Sequence, residues 1–302
     1  MSRLRLIILG SAAGGGVPQW NCRCPVCALA WNGDPRVKRR TQSSIAVSAD
    51  GQAWALVNVA PDIIAQIGAN PQLRPQGAPR GSPICSVILT NGDIDHVAGL
   101  LSLREGHVFT LHATPGIHAV LRENSIFDAL NPALVERREV ALGGTILLAP
   151  GLEAEIFAVP GKTPLYLERG EVEVGIEGEA TIGVELRAGG ASLLYVPGCA
   201  HMSDALRARV QDAAVVLFDG TVFHDDEMQR AGVGAKTGRR MGHMPMSGPE
   251  GSLEAFAGLN TGRRIFVHLN NTNPVLVEGS PERAEVEAAG WEIALDGMQV
   301  VL

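Results

Sequence analysis

A chain of 302 residues, 46% hydrophobic and 19% charged, can bury a large core as one large or two ordinary domains. Its net charge of -7, with only a short basic run from Arg36 to Arg40, argues against the footprint of a nucleic-acid binder. It has no apolar run of roughly 18 residues, and its opening Met-Ser-Arg-Leu-Arg-Leu-Ile-Ile-Leu-Gly lacks a secretory h-region, so the expectation is a cytoplasmic protein with no membrane partner.

Leu4 to Leu9 reads as a strand, followed by Gly10 and the run Gly14-Gly15-Gly16. The spacing is not G-x-G-x-x-G, and Val17-Pro18-Gln19-Trp20 stands where a phosphate-binding helix would start. A loop hugging a site or another strand is expected instead. Next come Cys22, Cys24 and Cys27, whose C-x-C-x-x-C spacing lets three thiolates turn onto one tetrahedral ion at about 2.3 Å. Such crowding suits a metal knuckle in a reducing compartment better than a disulfide framework. A structural zinc is expected in this loop, about residues 10 to 40, with its fourth ligand from a distant part of the chain.

Ser44 to Ser48 and Ala53 to Val59 read as a hairpin turning at Asp50-Gly51, Pro61-Asp62 starts a helix, and Asn70 to Pro83 is a loop. Val87 to Leu89 is a buried strand that stops at the turn signal Asn91-Gly92 and releases Asp93, Asp95 and His96. Carboxylates and an imidazole at such short separations are ligands for hard or borderline cations, and they also suit a polar turn that caps a helix. A helix to about Leu103, a strand Val108 to His112 and a helix Gly116 to Arg122 follow. His107, His112 and His118 carry no ligand spacing and read as residues without a metal role.

From Thr145 the texture returns to strands, at Ile146 to Leu148, Leu152 to Val159, Pro164 to Leu167, Thr181 to Leu186, Leu193 to Val196, Ala213 to Phe218 and Ile265 to Val267. A second run of strands predicts a second sheet, and hence an α/β fold of the αββα sandwich type in one domain spanning 1–302. Cys199 and His201, Asp219 and His268 all stand just past strands, as Asp95 and His96 do, so four strand-end loops point to one site. His243 lies in a glycine-flanked loop that could reach a substrate, with Lys236, Arg239 and Arg240 as the nearest cations for a carboxylate. His224 to Glu227 reads as a solvated helix start.

Thr90-Asn91-Gly92-Asp93-Ile94-Asp95-His96-Val97-Ala98-Gly99 resembles the T-H-x-H-x-D-H-x-x-G signature of the metallo-β-lactamase superfamily, with His268 as its late histidine. The N-terminal stretch Gly10 to Cys27 and His268-Leu-Asn-Asn-Thr-Asn-Pro are similar to one branch of it, which acts in pyrroloquinoline quinone (PQQ) biosynthesis. Three departures stand out. Asn91 and Asp93 replace the first two histidines of the signature, Phe157 to Lys162 supplies no third, and no bridging Asp stands near Gly198-Cys199. A two-metal hydrolytic clamp is therefore not expected. What the resemblance retains is Asp95, His96 and His268 as ligands of one ion, a two-His, one-carboxylate set like that of non-haem Fe(II) oxygenases. It implies Fe(II)- and O2-dependent hydroxylation of the tyrosine ring of a Glu-Tyr-derived precursor, with Asp93, Asp219 and His243 as catalytic candidates. It also offers Asn271, where related folds carry a second late histidine, as the fourth ligand of the cysteine zinc. A mononuclear zinc hydrolase, or a carrier of PQQ or its precursor, are the alternatives.

Overall fold

The computed structural model describes residues 3–77, 79–170 and 172–302. Its strands are β1 (Arg5–Gly10), β2 (Ser44–Ser48), β3 (Trp54–Val57), β4 (Ile84–Ile88), β5 (Phe109–Ala113), β6 (Val135–Glu139), β7 (Thr145–Ala149), β8 (Leu152–Ala158), β9 (Ile182–Ala188), β10 (Ala191–Val196), β11 (Val215–Asp219), β12 (Arg263–Val267), β13 (Trp291–Ile293) and β14 (Gln299–Val301). They form two seven-stranded sheets, ordered β14-β1-β2-β3-β4-β5-β6 and β13-β12-β11-β10-β9-β8-β7. The helices are α1 (Pro25–Trp31), α2 (Ile63–Ala69), α3 (Ile94–Val97), α4 (Pro115–Glu123), α5 (Asp204–Val210), α6 (Glu227–Arg230), α7 (Ser252–Ala255) and α8 (Pro281–Ala288).

Alternation along each strand builds the layers. Leu6 and Ile8 of β1, Leu217 of β11 and Ile265 and Val267 of β12 meet in the core between the sheets. Ile7 and Leu9 face outward to Ile63 of α2 and Ile117 and Leu121 of α4. On the far side, Val216, Phe218 and Phe266 pack with Val26 of α1, Leu206 of α5 and Val286 of α8. This is the expected αββα sandwich. Each fully buried Leu, Ile or Phe here contributes roughly 1.5–3 kcal/mol of transfer free energy.

Strands β3 to β6 pair in parallel, as do β10 to β13. Parallel runs send their carboxyl ends to one edge, where ligands of open α/β sheets bind. The hairpin of β2 and β3 is present, with Gly51 at φ 76° in its turn. Other readings need correction. Pro164 to Leu167 is not a strand, because Leu165–Leu167 closes a short 3-10 turn over the cavity. The helix after His96 is one α turn continued as 3-10 through Ala98–Arg104. Strand β6 went unread because Val-Glu-Arg-Arg-Glu offers one buried residue, and β13, β14 and α8 went unread at the chain's end.

Candidate metal centre and cavity

Strand β4 delivers Asp95 and His96 on α3, and β12 delivers His268 from the other sheet. Gly99 makes this junction possible, since a Cβ there would meet the Ala60 carbonyl oxygen at 2.2 Å. Its amide instead donates to Val59 O at 3.0 Å. One ligand atom from each of Asp95, His96 and His268 falls within 4.8 Å of the other two. Asp95 Oδ2 lies 3.1 Å from His268 Nε2 and 3.8 Å from His96 Nε2.

Electrostatics prepare these groups for a cation. Burial pulls the His96 imidazole down to about 4, so it is neutral and can donate a lone pair. Its Nε2 is buried with no hydrogen-bond partner. Burial works to raise Asp95, but the His96 and His268 imidazoles override it and hold the carboxylate ionised. Burial opposes charge on His268 as well, and the Asp95 carboxylate more than offsets it. An orphaned, neutral imidazole nitrogen beside an ionised carboxylate and a second imidazole fits a three-ligand cation site with open positions.

Thr221, two residues past Asp219, orders the other side and was not singled out from sequence. Its hydroxyl donates to Asp219 Oδ1 at 2.7 Å and lies 2.8 Å from His268 Nδ1. With that proton committed to Asp219, His268 Nδ1–H donates to Thr221 and Nε2 is left to bind. His268 adopts φ 58°, a left-handed conformation uncommon outside glycine, as does Asn58 at φ 62° behind Thr90. The wholly buried Asp219 accepts from Cys199 N at 2.8 Å and lies 2.7 Å from His243 Nδ1. Asp219, His243 and His268 also cluster within 4.8 Å, but both Asp219 oxygens are taken, which leaves His243 Nε2 as the free nitrogen of the group. At the corner where no Asp stands on Gly198-Cys199, the Asp219 carboxylate arrives from the next strand. Thr90, held by Asn58, supports His96 Nδ1 at 3.4 Å, a pair likewise invisible in the sequence.

The Asp93 carboxylate stays outside the ligand group, and Asp93 meets His96 only through the backbone, its carbonyl accepting from His96 N at 2.9 Å. Its Oδ1 accepts from Leu165 N at 3.2 Å, and burial followed by the nearby Asp95 charge raises its carboxyl. His201 is exposed, while His112 and His118 are buried in the first half of the chain, away from the cavity.

The cysteine loop is built by α1. Pro25 sits at its first position, and Cys24 caps it by accepting from Cys27 N at 3.4 Å, which turns three sulfurs to one point. Asn271 Nδ2 lies 3.2, 3.7 and 3.3 Å from the sulfurs of Cys22, Cys24 and Cys27. Burial pushes the Cys24 thiol up to about 12, so a thiolate here needs a cation beside it. The donor set fits a closed four-ligand ion, with the Asn271 amide turned to present its oxygen. A cavity of about 720 Å³ joins both clusters, lined by Ala13, Gly14, Cys22, Asp95, His243 and Asn271 among others. The glycine loop therefore hugs the site, as expected.

Glu227 corrects the reading of a solvated helix start, being 4% exposed. It accepts from Phe223 N at 2.7 Å and from Thr272 Oγ1 at 2.6 Å. Burial nonetheless pushes its carboxyl up to about 7 from 4.5. The folded state then keeps a proton the unfolded chain has lost, so Glu227's contribution is full below about 4.5 and falls as pH rises through 7. Thermal unfolding of Glu227→Gln against the parent should shift in favour of Gln by about 2 kcal/mol between pH 5 and pH 8. A pH-independent difference would refute the assignment.

Comparison with known proteins identifies the family. Residues 53–269 match the model of the β-lactamase superfamily domain. Coenzyme PQQ synthesis protein B of Methylorubrum populi is 57% identical over 99% of this chain and 100% of its own length. The crystal structure of Zn²⁺-bound PqqB from Methylobacterium extorquens superposes with a TM-score of 0.97 at 57% identity, covering 99% of this chain and 100% of that one. A diphosphatase of the PhnP family shares the fold alone, at 21% identity and a TM-score of 0.69 over 99% and 97% of the two chains. No helix among the described residues is long and apolar enough to cross a membrane. The chain belongs to the coenzyme PQQ synthesis protein B family, within the metallo-β-lactamase superfamily.

Proposed function

We propose that this protein acts in PQQ biosynthesis as a mononuclear non-haem iron hydroxylase, using O2 and two electrons from an external reductant to hydroxylate the tyrosine ring of a Glu-Tyr-derived precursor, one oxygen atom entering the ring and the other leaving as water. The carrying observation is the convergence of Asp95, His96 and His268 with an unpartnered His96 Nε2 at the foot of an open cavity. Fe(II) on those three residues would supply O2 activation, which zinc, with one oxidation state, does not. The names of the relatives support the pathway.

The chain's own residues do the rest. The cavity of about 720 Å³ suits a dipeptide-sized molecule. His243 lines it with Nε2 free, because Nδ1 is held by Asp219, so it can take the phenolic proton. Asp219 fixes that imidazole's tautomer and steadies its charged form, the role a buried Asp plays behind a catalytic His. Asp93, packed under Leu165, shapes the floor and is a weaker candidate for proton transfer. Replacing His243 by Gln should lower kcat about 100-fold with metal content unchanged, measured by single-turnover kinetics. An unaltered kcat would remove His243 from the chemistry.

The decisive test is anaerobic reconstitution with Fe(II), then ¹⁸O₂ with a two-electron reductant such as ascorbate, and mass analysis of the precursor. Incorporation of ¹⁸O with Fe(II) alone, and inhibition by Zn(II), are expected. Zinc outranks Fe(II) in the divalent affinity order, so adventitious zinc should displace iron. Equal turnover with Zn(II), or product oxygen drawn only from water, would assign a zinc hydrolase. Tight precursor or PQQ binding with no turnover under any metal would assign a carrier.

A further inference from the structure

We infer that Arg23 and Lys236 are the receptors for two carboxylates of the substrate, and that the cysteine knuckle holds Arg23 in that role. The inference rests on the functional reading above and names the residues that would choose the substrate. Three cations line the cavity, Arg23, Lys162 and Lys236. Lys162 is committed to Glu168 at 3.0 Å and nearly buried with it. Arg239 and Arg240, which the sequence offered for this task, pair instead with Glu250 and Glu168 and do not line the cavity. Arg23 and Lys236 have no acidic partner among the described residues.

The knuckle explains the placement of Arg23. Its neighbours Cys22 and Cys24 turn their sulfurs to the same amide, Asn271 Nδ2, and are buried. Arg23, between them, is exposed and lines the cavity. A closed ion on the sulfurs would lock that backbone. The guanidinium would then present its planar fork to a carboxylate from a fixed base, while Lys236 offers a mobile point charge from the segment between α6 and His243. A ligand with two carboxylates and a phenol therefore enters in one orientation, with its carboxylates at Arg23 and Lys236 and its ring toward His243 and His268. Leu165, Met228 and Val233 supply apolar wall for the ring.

The test is calorimetric, on zinc-loaded protein without O2, with L-glutamyl-L-tyrosine and its diamide as probes. The parent protein should bind the acid at least about 10-fold more tightly than the diamide, and salt should weaken only the acid. Arg23→Gln and Lys236→Met should each weaken the acid about 10-fold, leave the diamide unchanged, and keep the parent's zinc content and Tm. Arg23→Lys should recover part of the loss. Because no turnover is read, failure of the oxygenation reading leaves this result intact, and failure here leaves the ¹⁸O₂ experiment unaffected. Parent-like binding of the acid by both variants, equal binding of acid and diamide by the parent, or no binding of either probe would overturn the inference.

Discussion

His268→Ala should strip the ion from the Asp95 and His96 centre, abolish turnover, and leave the cysteine ion and the fold in place. His268 Nε2 is the ligand atom that the second sheet brings to the first, and His243, whose Nε2 is also free, groups with Asp219 and His268 rather than with Asp95 and His96. Losing even a partner that merely orients a ligand commonly costs about 10- to 100-fold in metal affinity, so losing the ligand itself should exceed 100-fold. The substitution also takes the His268 ring from Thr221, whose hydroxyl keeps Asp219 at 2.7 Å and the His243 ring at 3.1 Å. Elemental analysis after anaerobic reconstitution should find one ion in place of two, with an unchanged unfolding transition in the apo forms. Full metal content with full activity would sink the assignment of His268.

Cys24→Ser should cost more stability than any surface change and should do so only in metal-loaded protein. Cys24 caps α1 and gives a sulfur to the cluster; serine can keep the cap, so what the substitution removes is the sulfur ligand of the ion. An ion present at a thousandfold excess over its Kd stabilises the fold by about 4 kcal/mol. At roughly 2–4 °C per kcal/mol for a large domain, the expected fall in Tm is about 10 °C. A chelator should lower the Tm of the parent to nearly the same value and leave the variant almost unmoved. If a chelator that removes all metal leaves the parent's Tm where it was, the cysteine ion has no structural role.

Much of this site could be read from spacing, because strand-end residues need only one-dimensional order to be noticed. Asp95, His96 and His268 follow buried β-branched or aromatic runs, and the C-x-C-x-x-C knuckle is local enough to carry its own geometry. The residues that orient those ligands were not legible. Thr221, Thr90 and Asn58 act through hydroxyls and amides that look like ordinary turn chemistry until two sheets are stacked. Glu227 shows the converse error: three acids in a row suit a helix start, yet one of them turns inward to meet Thr272, 45 residues away in sequence. The cations fared likewise, since pairing of Arg239 and Arg240 with Glu250 and Glu168 is a long-range fact. For the fold, the two-sheet architecture followed from the two runs of strands, whereas β6 failed because a strand exposed along most of its length shows no apolar period.

The loop after β12 carries His268 at one centre and Asn271 at the other, only three positions apart. Leu269 is pinned to Ser11 and Ala13 by backbone hydrogen bonds, Asn273 holds Gly220 O, and Thr272 holds Glu227. So short a span cannot be ordered at one end and loose at the other. On the reading proposed above, an ion on the cysteines would bear on an ion at His268 through this short, hydrogen-bonded span. Linkage makes the relation reciprocal, and coupling free energies of this kind commonly run at about 1–3 kcal/mol. With both centres filled as proposed, removing the cysteine ion would then weaken the ion at His268 without touching any of its ligands.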